Sequence, residues 1–106
     1  MKWYACTLVH PQRILYVLEI DGIGCGSGRL DVDAKHGEVE LSWTIAPQAR
    51  GRGLSYVIAA MLHEQVPSVY TAIAIIKSDN VASKKIARSL GFSFLEYESK
   101  NVEKWA

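Results

Sequence analysis

Between residues 38 and 66 the apolar pattern of the chain changes period. In "GEVELSWTIAP", Val39, Leu41, Trp43 and Ile45 share one face of an extended chain, and Glu38, Glu40, Ser42 and Thr44 share the other. That alternation describes a half-buried strand, and Pro47 ends it. From Leu54 onward the apolar residues recur three and four apart, at Leu54, Val57, Ile58, Met61, Leu62 and Val66. This is the spacing of an amphipathic helix of about three turns that stops near Pro67. A strand that feeds a helix through so short a turn commits the chain to a layered α/β fold.

The flanking segments extend the pattern. Residues 3–9 and 13–20 are rich in aromatic and β-branched residues, with a turn at Pro11 between them, and both read as strands. Asp21-Gly22 marks a hairpin, because the favoured two-residue turn needs positive φ at both central residues, and a third strand is expected over 23–32. "VYTAIAII" is apolar on both faces, as in a strand covered on two sides. A second helix is expected from Asp79 or Asn80 to Leu90-Gly91, with Gly91 just past its end where a left-handed residue is easiest. "FSFLEYE", with "VEKWA" as a second partner, closes the chain. The order is four strands, helix, strand, helix, one or two strands: a mixed α/β sheet, and at 106 residues a single domain over 1–106.

The turn joining the fourth strand to the first helix reads Pro47-Gln48-Ala49-Arg50-Gly51-Arg52-Gly53. Its glycines let backbone N–H groups face outward, and the helix behind adds its own free donors and positive dipole end. That combination binds phosphate, and the planar paired donors of arginine suit phosphate oxygens. A tight turn flanked by solubilising arginines would explain the same residues. A Walker loop is excluded because Gly53 is followed by Leu54-Ser55, without the Lys-Ser or Lys-Thr pair. A dinucleotide fingerprint is excluded because Gly22, Gly24, Gly26 and Gly28 never take its spacing and precede a strand. Glycines two apart on a strand leave one face bare for close packing.

Net charge is +1, so no global field calls for nucleic acid or a membrane surface, and electrostatic function must come from local clusters. The longest apolar runs fall far short of the ~20 residues of a membrane helix. With Cys6 and Cys25 as the only cysteines and no leader-like N-terminus, a reducing cytoplasm is the expected location. His10, His36 and His63 lie far apart and neither cysteine has ligand spacing to them, so no metal site is expected.

Pro47 followed by Arg50-Gly51-Arg52-Gly53-Leu54-Ser55 resembles the R/Q-x-x-G-x-G/A acyl-CoA signature of the GNAT superfamily of N-acetyltransferases, at the matching strand-to-helix junction. Gln48 to Gly53 fits the letters in a second register, but Pro47 favours the first, in which Ser55 stands where Gly or Ala is usual. Asn80-Val81-Ala82-Ser83, with Leu90-Gly91-Phe92 after it, resembles the family's N-x-x-S/A…G-F segment. The resemblance covers roughly residues 14–98 and implies a mostly antiparallel mixed sheet. It also implies acetyl-CoA as cosubstrate, its pyrophosphate on the amides of Gly51, Arg52, Gly53, Leu54, Ser55 and Tyr56 beside Arg50. The 3′-phosphate would meet Lys84, Lys85 or Arg88, unless these simply form a solvated helix face. The pantetheine arm would pair with the backbone of Trp43, Thr44 and Ile45 and touch Asn80, which needs the fourth and fifth strands to splay, commonly through a bulge.

Acetyl transfer to an amine needs the amine neutral, so a base helps. Glu40, at a position where similar strands carry Glu, is the first candidate, and a structural carboxylate is the alternative. Many relatives place a tyrosine seven residues after the motif asparagine to protonate the departing thiolate, and here that position is Ala87. Ser83, Tyr56, Tyr97 or water would then substitute; members similar to ribosomal-protein N-acetyltransferases also carry N-x-x-S with Ala at this position, so its loss does not imply an inactive protein. His36 as a base and Cys25 as a nucleophile are weaker candidates.

The family usually inserts two helices between its first and second strands, whereas only about four residues, His10 to Arg13, stand there. A short, open-sided domain is therefore expected. Its acceptor would be an amine on a small molecule or a protein N-terminus, and a homodimer paired through the strands at 3–9 and 13–20 would supply the missing wall. The first functional expectation is an acetyl-CoA-dependent N-acetyltransferase working by direct transfer. The alternative is an acyl-CoA-binding or interaction module that has lost catalysis. A phosphate binder unrelated to CoA is a third reading.

Overall fold

The computed structural model describes residues 12–106 in full and, of the first eleven, the backbone of 2–7; the expected strand end at 8–9 and the turn at Pro11 lie outside the described residues. Among the described residues seven strands form one sheet: β1 (Lys2–Thr7), β2 (Arg13–Ile20), β3 (Ile23–Asp33), β4 (Glu38–Ile45), β5 (Thr71–Lys77), β6 (Phe94–Ser99) and β7 (Val102–Trp105). Two helices, α1 (Leu54–Glu64) and α2 (Val81–Ser89), follow β4 and β5, and a single 3₁₀ turn, Pro47–Ala49, precedes α1. The order across the sheet is β1-β2-β3-β4-β5-β7-β6. Only β4 and β5 run parallel, so the mixed, mostly antiparallel sheet is as expected.

The hairpin between β2 and β3 turns on Asp21 and Gly22, at φ 52° and 78°, which is the pair of left-handed residues that the turn type requires. Its strands then bury alternate residues against α1. Tyr16 and Leu18 of β2, Leu30 of β3, and Val39 and Leu41 of β4 join Leu54, Ile58 and Leu62 of α1 in the core. The helix can lie this close because β3 presents no side chain beneath it at Gly26 and Gly28. A Cβ on Gly28 would fall 2.6 Å from Leu62, and one on Gly26 would fall 2.7 Å from Ile58 and 2.6 Å from the Thr44 carbonyl oxygen.

The opposite face of β2, β3 and β4 carries charge. Arg13 and Arg29 both donate to Asp31, at 2.5 and 2.8 Å, and Lys104 reaches Glu38 at 3.1 Å. β7 inserts between β5 and β6, so the last strand of the chain is interior and β6 forms the edge. β2 is paired on both sides, by β1 and β3. Of the two strands expected to offer an edge to a second copy, β1 alone has one without a strand partner among the described residues.

Candidate active site

β4 and β5 pair only from Glu38↔Thr71 to Leu41↔Ala74. Beyond that point β5 turns its ladder to β7, through Ala74↔Trp105 to Lys77↔Val102, while β4 runs on along β3 to Ile45. The two strands therefore splay, and the β5-facing backbone edge of Ser42, Trp43, Thr44 and Ile45 is left without a ladder partner. The expected bulge is absent from β4, whose register with β3 is unbroken; the shift lies instead between Leu18 and Glu19 on β2. β5 opens the gap by changing partners, so β4 needs no kink.

Two cavities occupy the splay. The outer one, about 310 Å³, is lined by Leu41, Ser42 and Trp43 on one side, by Ala74 to Lys77 on the other, and by Asn80 and Ser83. The inner one, about 440 Å³, is lined by Trp43, Thr44, Ile45, Arg50, Ser55, Asn80, Ala82, Ser83 and Ile86. Trp43, Asn80 and Ser83 belong to both, so the two form one groove from the sheet to the mouth of α1.

At that mouth the loop folds as its glycines dictate. Gly51 and Gly53 take φ of 80° and 70°, where a Cβ would be strained, and Gly53 is the N-cap of α1 without any side chain capping it. The first helical bond is donated by Val57 to the Gly53 carbonyl. The six backbone N–H groups from Gly51 to Tyr56 have no acceptor among the described residues. Six free donors beside Arg50 at the positive end of a helix suit an anion with several oxygens.

The splay's other wall is set by α2. Asn80 caps it, with Oδ1 accepting from the Ser83 N–H at 3.0 Å, and this leaves the Nδ2 donors of Asn80 for the groove. Loss of that cap in Asn80→Ala should cost about 0.5–2 kcal/mol of stability by denaturant unfolding.

The structure gathers Trp43, Thr44, Ile45, Arg50, Ser55, Asn80 and Ser83 along the groove. Leu54 is instead a core residue, and Tyr56 is exposed and lines neither cavity. The Arg52 side chain lines a separate recess of about 250 Å³ with Ile20, Asp21, Ile23, Cys25, Gln48 and Ala49. Lys84 is spoken for as well: it pairs at 2.9 Å with the buried Glu103, which also accepts from the Trp105 indole N–H at 3.1 Å. Arg88 stacks over the Trp105 ring at 5.1 Å, so of the three cations considered for a 3′-phosphate, Lys85 alone keeps its charge uncommitted among the described residues.

Glu40 lies on the charged face of β4, directly across from Asp31 in the ladder. Burial holds its carboxyl above the usual carboxylate range; Asp31 and Glu98 push the same way, and Arg29 and Arg13 partly oppose them. A carboxylate made more basic in this way is better suited to accept a proton. Ala87 is fully buried on the inner face of α2 and Tyr97 is exposed on the edge strand, so Ser83 is the one hydroxyl among the candidate acids that lines the groove. His36 instead pairs with Asp33 at 2.7 Å in the exposed β3–β4 turn, and the Cys25 thiol is buried against the Ile23 carbonyl. No cluster of metal-ligating side chains occurs among the described residues. The sequence alone did not single out Lys77, Ile75 or Ile86; they reach the groove only because β5 and α2 diverge from β4.

The acetyltransferase (GNAT) domain family matches residues 4–93. This chain belongs to that family, whose chemistry is acyl transfer. Solved structures of the same fold include a domain from Methanocaldococcus jannaschii, at 18% identity and TM-score 0.77, covering 92% of this chain and 67% of that one. A ribosomal-protein-alanine N-acetyltransferase from Brucella melitensis is similar at 24% identity and TM-score 0.73, over 88% of this chain and 67% of that one. A spermidine N-acetyltransferase from Vibrio cholerae, solved in complex with CoA and spermine, is similar at 14% identity and TM-score 0.77, over 89% of this chain and 64% of that one. The chain thus spans about two thirds of the length of these structures. No curated protein sequence matches it. No helix among the described residues is long and apolar enough to cross a membrane.

Proposed function

We propose that residues 1–106 form a single acyl-CoA-binding domain that transfers an acetyl group directly from acetyl-CoA to a primary amine, in the cytoplasm. The observation that carries this reading is the groove itself. An unpaired strand edge, from Ser42 to Ile45, leads to six free N–H groups at Gly51 to Tyr56, and these two features match an amide-bearing arm ending in a pyrophosphate. The residues present fit acetyl-CoA. The edge of Trp43, Thr44 and Ile45 would hold the pantetheine amides, Asn80 would donate to the arm from across the groove, and Arg50 with the loop amides would hold the pyrophosphate.

When bound there, acetyl-CoA supplies the activated acyl group, and this chain's residues handle the protons. Glu40 accepts the proton that the attacking amine must lose, with its basicity raised by burial and by Asp31. Ser83 stands in the groove as the donor to the departing thiolate, the role that Ala87 cannot fill. The amine belongs to a small molecule or a protein N-terminus. The buried, donor-free position of Ala87 also supports the second reading, a module that binds acyl-CoA without turning it over.

Charge reversal in the loop tests the cradle. Arg50→Glu should weaken acetyl-CoA binding roughly tenfold or more by calorimetry, because a charge-assisted contact to phosphate is replaced by repulsion. Arg52→Glu should change it far less, since Arg52 lines the recess on the other side of the loop. Equal losses in the two variants would remove the groove from the account. Normal binding without release of CoA in the presence of amines would select the non-catalytic module.

A further inference from the structure

We propose that Lys77 is itself an acyl acceptor, so that the protein acetylates its own chain at the rim of the groove. This rests on the reading of the groove as an acetyl-CoA site. Trp43, Asn80 and Ser83 line both cavities, so the inner cavity ends, and the outer one begins, where the thioester end of the arm would come to rest. The outer cavity is then the space through which an amine must approach. Among the residues that line it, Lys77 alone carries an amine. It is the last residue of β5, its side chain is exposed, and it joins no ion pair among the described residues, so no carboxylate holds its ammonium away from the groove. It also lines a second recess of about 330 Å³ with Ser78, Asp79 and Asn101, which places it on the rim between open solvent and the reacting end.

The step balances without a further reagent. The Lys77 ammonium gives up a proton, its nitrogen attacks the thioester carbonyl, the C–S bond breaks as the amide bond forms, and the nitrogen's surplus proton leaves. The thiolate takes up one proton, so one lysine ammonium and one acetyl-CoA give one acetyl-lysine, one CoA thiol and one released proton. Tethering the amine beside the thioester replaces a bimolecular encounter with a local one.

The test is residue-resolved mass spectrometry of the purified protein over a time course with acetyl-CoA, with calorimetry of acetyl-CoA binding on the same sample. Lys77 should acquire an acetyl group about tenfold or more faster than the exposed Lys35, Lys85 and Lys100. Its rate should saturate with acetyl-CoA, and excess CoA should suppress it. A short thioester lacking the nucleotide should show no preference for Lys77. In Lys77→Arg the fast acetylation should vanish, and no other lysine should inherit it. Saturable acetyl-CoA binding with Lys77 modified no faster than Lys85 would overturn this inference and leave the proposed function standing. Absence of acetyl-CoA binding would overturn both.

Discussion

Glu40→Gln is expected to lower acetyl transfer by about 10²–10⁴-fold at saturating acetyl-CoA, the contribution typical of a positioned proton acceptor, while the affinity for CoA stays unchanged. The amide keeps the size of the side chain but cannot take a proton. In the parent, turnover should rise with pH through a value above the ordinary glutamate range, because burial and the facing Asp31 raise the Glu40 pKa. The variant should lose that limb of the profile. Stability should move the other way. A carboxyl whose folded pKa is raised contributes stability that is fully present below its unfolded value, near 4.5, and is lost as pH climbs through the folded value. Glu40→Gln removes that loss, so at neutral pH the variant should unfold at the same denaturant concentration as the parent or a higher one, and the gap should close in acid. A variant that turns over normally would take the base role from Glu40. One that is less stable than the parent at neutral pH would mean that Glu40 is a structural carboxylate.

Gly28→Ala should cost about 1–3 kcal/mol of unfolding free energy, because overpacking a filled core forces neighbours out of place. The added methyl would meet the Leu62 side chain at 2.6 Å, with the Leu62 Cγ only 2.8 Å away, so rotating the tip of the leucine does not relieve it. Gly24→Ala, four residues earlier on the same strand, meets nothing within 4 Å and should be neutral or slightly stabilising. Leu62 is fully buried, so Leu62→Ala alone should cost about 2–5 kcal/mol. The double variant Gly28→Ala/Leu62→Ala should lose less than the sum of the two, since each change makes room for the other. Denaturant unfolding of the four proteins decides it. Additive losses would mean that α1 does not rest on the bare face of β3.

The same contact shows what could be read from the sequence. Glycines two residues apart on a strand announced a close approach, but not by what; only the fold shows that the side chains of α1 fill the space over Gly26 and Gly28. The strand-to-helix turn was legible because its glycines require positive φ and its helix start lacks a capping side chain, both local properties. Asn80 was legible as a cap for the same reason. What escaped was everything set by pairing at long range. The bulge expected in β4 is not there because β5 changes partner from β4 to β7, a choice made some thirty residues further along the chain. The insertion of β7 between β5 and β6 places Glu103 and Trp105 under α2, and these draw Lys84 and Arg88 away from any phosphate. Arg50 and Arg52 are equivalent as letters in a motif; the turn of the loop sends one toward the groove and the other toward the β2–β3 hairpin.

The central claim is that the splay between β4 and β5, with the free amides of the Gly51–Tyr56 loop at its end, holds acetyl-CoA. Calorimetric titration of the purified protein with acetyl-CoA, beside dephospho-CoA and ATP, tests it most directly. Saturable one-to-one binding of acetyl-CoA is expected, retained in good part by dephospho-CoA because few free cations are placed for a 3′-phosphate, with much weaker binding of ATP, which has no arm to pair with the edge of β4. ATP binding as tightly as acetyl-CoA, or no binding of acetyl-CoA at millimolar concentration, would contradict it.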